Sequence, residues 1–183
     1  LRIKSRWHGE DERSVSEIAG ALAFISWRLA QEHAINLHGE SFVYRDDMQL
    51  IDVISEYIIF QLQVIDRMAH EIIGLEDDKR RELIIPLATK LADQIQDNSE
   101  DLLGPGDYKK AFYEKLNERG VEYSKYNYTE DGPSYPFMRH LGYEIQQIMG
   151  SEGENRWVID QVMDRDGLEV DRHLRKAVID LFS

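Results

Sequence analysis

The stretch FQLQVIDRMAHEIIG, Phe60 to Gly74, sets Asp66 and His70 four residues apart on an apolar helical run. A carboxylate and an imidazole at that spacing can share a metal ion or pass a proton. They can equally form an ordinary helix-stabilising pair worth a few tenths of a kcal/mol. At about 100° per residue, Asp66 lies about 100° and His70 about 140° from the seam through Ile58 and Ile65. Both stand on the flank with Asp52, Glu56, Gln63 and Arg67, so the pair reads as the wet side of a helix. Four of the six histidines have a carboxylate four residues away, at Glu12, Asp66, Glu144 and Glu169. Composition alone supplies roughly two such pairs, and the excess assigns no ligand.

Two polar residues sit where apolar ones are expected. Gln61 falls on the seam Ile51, Ile54, Ile58, Gln61, Ile65, Met68, Ile72, where a buried amide must find partners or cost a few kcal/mol. It is expected to fix helix register. His33 occupies the apolar stripe of the first helix, one turn beyond Leu29 and beside Glu32. A hydrogen-bonded core histidine is the expected role. His33 and Gln61 together could also line the pocket of a small-ligand binder, under a Tyr-rich loop.

Several known chemistries are excluded. No Asp or Glu is followed three residues later by His, which removes the usual helical di-iron site. His70-Glu71 lacks the second histidine of a zinc-protease helix. His8-Gly-Glu10 and His38-Gly-Glu40 match half of a deaminase signature, but the chain has no cysteine to complete it. Asp164-x-Asp166-Gly167 matches the middle of a calcium loop, with Val162 and His173 at the first and last ligand positions, so an ordinary turn is expected. There is no phosphate-cradling glycine loop and no Gly-x-Ser-x-Gly elbow.

One carboxylate set remains. If the second and third helices form an antiparallel hairpin, Asp52 and Glu56 stand level with Asp97, Glu100 and Asp101. Acids four apart on one helix repel unless a cation compensates. Asp52, Glu56, Asp97 and Asp101 would then hold Mg or Mn, as in an all-α phosphohydrolase acting on nucleotides. The other local feature is a concentration of tyrosines, among them Tyr123, Tyr126, Tyr128 and Tyr135, a residue type favoured at partner contacts.

The elements that must position these residues are helices. Ser14 and Glu17 form a capping box ahead of Val15, Ile18, Leu22, Ile25 and Leu29, and this helix ends near His38-Gly39. Asp46 or Asp47 starts a second helix running to Gly74, apolar over most of its circumference. A third follows Glu76 and is expected to kink at Pro86. Gly104-Pro105-Gly106 is the clearest break, a potential sub-boundary. Asp107 caps a fourth helix, residues 123 to 136 read as a loop, and a fifth spans about Pro136 to Met149. The last begins near Glu154 and is interrupted at Asp166-Gly167. The expected fold is all-α: a polar tail over residues 1–13, then one helical-bundle domain over 14–183 with five to seven helices around a long central apolar one.

Composition bounds function. With 183 residues, 42% hydrophobic and a net charge of −13, the chain can bury one core and repels nucleic acid. No run approaches the roughly 18 to 20 apolar residues of a membrane span, so no membrane is expected and the protein is taken as cytoplasmic. The leading expectation is a non-enzymatic acidic interaction or regulatory module without a cofactor. It would contact a protein partner or itself as a homodimer, through the second helix and the Tyr-rich loop. The metal-dependent phosphohydrolase and the small-ligand binder are the alternatives.

Overall fold

The computed structural model describes residues 14–39 and 41–183. The tail expected over residues 1–13 lies outside them. Helix α1, Val15–Gly39, starts on the expected capping box: Ser14 N–H donates to Glu17 Oε2 at 2.9 Å, and Glu17 N–H donates to Ser14 Oγ at 3.2 Å. Two of the helix's orphan amides are satisfied by this exchange. Helix α2, Asp47–Glu71, is capped by Asp46, whose Oδ1 accepts from Gln49 N–H at 2.9 Å.

Helix α2 is the centre of the bundle, packed by α1, by α3 (Asp77–Leu103), by α5 (Tyr135–Met149) and by α7 (Gly167–Phe182). Ile58, Ile59, Phe60, Val64, Ile65 and Met68 are fully buried, each contributing about 1.5–3 kcal/mol of apolar burial. The all-round apolar pattern of this helix is therefore accounted for within one chain. By length and composition α2 is long and apolar enough to cross a membrane, with a mean hydropathy of 1.3 over an 18-residue window. Of that window 78% is buried inside the bundle.

Helix α3 continues through Pro86 without a break. The amide that proline lacks would have served the carbonyl of Glu82, which stands on the exposed side where water can replace it. The turn at Gly104–Gly106 leads to α4, Tyr108–Tyr123, capped by Asp107. Phe112 of α4 joins the same apolar cluster as Ile18 of α1 and Phe182 of α7. The Tyr-rich loop holds a two-residue antiparallel ladder, β1 Tyr128–Thr129 with β2 Gly132–Pro133. No strand was expected there, because two residues carry no alternation to read.

The C-terminal third differs most from expectation. A 3₁₀ turn (Gly153–Trp157), the short α6 (Val158–Gln161), one π-helical turn (Val162–Asp166) and α7 follow one another without a loop. Gly167 is thus a contact residue, with helical φ of −64°. A Cβ there would stand 2.2 Å from Met138 Sδ and 3.1 Å from the Val162 carbonyl oxygen. Gly142 on α5 does the same for Met163 Cγ at 2.9 Å. Two glycines facing opposite ways let α5 lie closely against this rod, and the π turn absorbs the change of register between its halves.

Candidate functional site

Helix α1 carries His33 on its buried side, as the apolar stripe implied, and the neighbour it meets is the start of α7. His33 is 6% exposed and its Nδ1 lies 4.0 Å from Asp166 Oδ1. Asp166 is the last residue of the π turn and is also 6% exposed. Glu169, one turn on, completes a set of three donor atoms lying within 4.8 Å of one another, the one such group among the described residues. These three line a cleft of about 420 Å³ between α1 and α7, with Glu32, Asn36, Arg165 and His173 on its walls.

The surroundings of Asp166 are polar in a specific way. Gln161 Nε2 donates to its Oδ1 at 3.3 Å. The fully buried Tyr57 hydroxyl has this carboxylate as its polar neighbour. Burial, and then the charge of Asp166, push that phenol far above its ordinary range. Tyr44 is raised by the same two causes, with its hydroxyl donating to the Ala34 carbonyl at 2.6 Å.

Burial lowers the pKa of His33 below 6.5 against the opposing pull of Glu169 and Glu32. The imidazole is therefore neutral at physiological pH, the form that offers a lone pair. His173 Nδ1 lies 2.9 Å from the Glu169 carbonyl oxygen. A carbonyl only accepts, so this nitrogen holds the proton and Nε2 is left as the basic one. Among the described residues, three carboxylates against one arginine make the cleft negative. The Arg165–Glu169 contact at 3.6 Å is half exposed and holds Glu169 only loosely.

Asp52, Glu56, Asp97 and Asp101, expected to bind Mg or Mn, do not form a group of three donor atoms within 4.8 Å among the described residues. Asp52 accepts from Lys115 at 3.2 Å, and Glu56, completely buried, is gripped by Arg119 through contacts of 3.0 to 3.2 Å. Asp97 and Asp101 lie exposed on α3. The acid stripe of α2 is neutralised by bases of α4, an element the two-helix argument left out. Arg119 also reaches Glu144 at 2.7 Å, and His140 closes the cluster 4.0 Å from the same carboxylate. Burial raises Glu144 and lowers His140. Asp66 pairs with Arg80 at 3.0 Å while His70 is exposed, as the wet-face reading of that pair expects.

Two of the four tyrosines expected at a contact surface are core residues. Tyr123 is fully buried, packing on Phe137 and His140 with ring centroids 4.8 and 4.7 Å away. Tyr128 is 4% exposed and donates to Asp171 Oδ1 at 2.7 Å, tying the β1–β2 ladder to α7. Tyr126 is half-buried and Tyr135 is exposed. Gln61 is buried as expected, its Nε2 donating to the Ser26 carbonyl at 3.0 Å. It joins α1 to α2 away from the cleft, so it shares no pocket with His33. The cleft residues Asp166 and Glu169 were passed over in sequence because a turn and a chance Glu–His pair explained them. The available signal was their spacing with His173, three and then four residues, which places all three on one helical face.

No protein-family model, no curated protein and no solved structure matches this chain. Function therefore rests on the cleft itself.

Proposed function

We propose that the protein is a binding protein for a small, positively charged ligand, held in the α1–α7 cleft. The observation that carries this reading is the pair of buried ionisable groups, His33 and Asp166, facing each other at 4.0 Å on the floor of a negative cleft. Burying such groups costs several kcal/mol unless they are paired or hydrogen-bonded, and a core built for stability alone would be more favourable with apolar residues there. A volume of about 420 Å³ suits a small ligand. Its polar walls favour an ion or an ammonium group over an apolar molecule. The broad face of α2 and the buried Tyr123 and Tyr128 are spent on the protein's own core, which leaves Tyr126 and Tyr135 of the Tyr-rich contact surface.

The test is thermal melting with a panel of metal chlorides and small organic cations, such as guanidinium and polyamine salts. At least one should raise the melting temperature of the native protein by a few °C at saturation, and Asp166→Asn should abolish the rise. A panel with no effect, or a rise that survives in the Asp166→Asn protein, would defeat the reading.

A further inference from the structure

We infer that the ligand of this cleft is a divalent first-row transition-metal ion, bound by His33, Asp166 and Glu169. The inference rests on the cation-binding reading above and names the ligand class. An organic ammonium could also donate to the carboxylates and to the imidazole nitrogen, but it does not call for three donor atoms converging on one point, as these do within 4.8 Å. The floor instead combines one nitrogen donor with two carboxylate donors, contributed by helices whose residues are 133 to 136 positions apart in the chain. Mixed imidazole and carboxylate sets suit zinc, ferrous iron, manganese and cobalt, whereas magnesium takes oxygen donors and keeps its waters.

Donors bound to one ion at about 2.1 Å stand roughly 3–4 Å apart. The 4.8 Å span of the three donor atoms therefore requires a contraction of about 1 Å. Glu169 can supply it, because its side chain is 39% exposed and, among the described residues, is held by the loose contact with Arg165. The supporting groups also fit a metal. Gln161 donates to Asp166, which orients a carboxylate ligand as outer partners do. The fully buried Tyr57 hydroxyl has the Asp166 carboxylate as its polar neighbour, placed to donate to that ligand oxygen. His173, its Nδ1 facing the Glu169 carbonyl, lines the cleft wall outside this group of three. Three protein ligands leave coordination positions open towards the mouth, the arrangement of sites that exchange water or bind a second small molecule.

The experiment is titration calorimetry of the chelator-treated full chain with zinc chloride, manganese chloride and magnesium chloride, beside elemental analysis of the natively purified protein. One zinc or manganese ion per chain is expected, with magnesium weaker by at least ~tenfold. His33→Gln and Glu169→Gln should each weaken the transition metal by at least ~tenfold, and Asp97→Asn should leave it unchanged. Glu169 is half exposed, so its variant keeps the test valid if the buried His33 variant does not fold. Magnesium binding as tightly as zinc, or zinc binding indifferent to both substitutions, overturns the inference. If zinc and manganese do not bind but an organic cation stabilises the protein, the metal assignment fails and the cation-binding reading stands. If no cation of either kind binds, both fail.

Discussion

Arg119 is the residue on which the buried charge balance turns. Glu56 is completely inaccessible, and its carboxylate is held by three hydrogen bonds from Arg119, with Lys115 4.0 Å away. Replacing Arg119 by methionine keeps much of the packing and removes the charge. Glu56 and Glu144 would then face each other with only Lys115 to compensate, and breaking a buried pair on one side costs about 3–5 kcal/mol. Arg119→Met should lower stability to urea by about 3 kcal/mol, the lower end, because Lys115 remains. Glu56→Gln added to that variant should recover a large part of the loss, since it removes the stranded charge. A double variant no more stable than Arg119→Met would show that the arginine acts through packing alone.

At the scale of elements, the region around the π turn is where packing decides what the cleft can do. Gly167 opens α7 directly after Asp166 and allows Met138 of α5 to come within what would be 2.2 Å of a Cβ. The Val162 carbonyl, at 3.1 Å from that point, is backbone and cannot swing away. Gly167→Ala should therefore destabilise by about 1–3 kcal/mol, the usual cost of overpacking. It should also weaken ligand binding in the cleft, because it displaces the segment carrying Asp166 and Glu169. Unfolding by urea and cation titration of the same protein check both parts. A variant with native stability and native affinity would mean that α5 and α7 can part without consequence. Helix starts were legible in the sequence because a cap is local: Ser14 with Glu17, Asp46 and Asp107 each announce a helix within four residues. The π turn was not, since its cause is the fit of Gly142 and Gly167 against Ile159, Met163 and Met138, which no local pattern encodes. For the same reason His33 could be singled out and its partners could not. The pairing of α1 with α7 depends on the whole bundle, and so does the pairing of α2 acids with α4 bases.

For the whole molecule, a net charge of −13 and a pI near 4.9 set the pH response against two buried histidines. Surface repulsion alone makes the folded state more stable as pH falls towards the pI. His33 and His140 act in the opposite direction. Burial depresses both below 6.5, with Arg119 adding to the effect at His140. Below 6.5 the unfolded chain takes up protons at these positions while the folded chain does not. Their contribution is present above 6.5 and is lost as pH falls from 6.5 towards the folded values. Glu144 and Asp171, raised by burial above 4.5 and 3.8, have the reverse sign, and the stability they add grows as pH falls through windows that end at those ordinary values. Surface terms are screened by salt and buried ones much less, so the histidines should govern between about pH 7.5 and about pH 6 at ionic strength of ~0.5 M. The urea midpoint is expected to fall over that interval, and His140→Gln should make the fall shallower. Because the substitution leaves the surface charge untouched, comparing the two slopes isolates the buried group. A midpoint that climbs steadily on acidification, alike in both proteins, would show that repulsion between surface carboxylates outweighs the buried imidazoles.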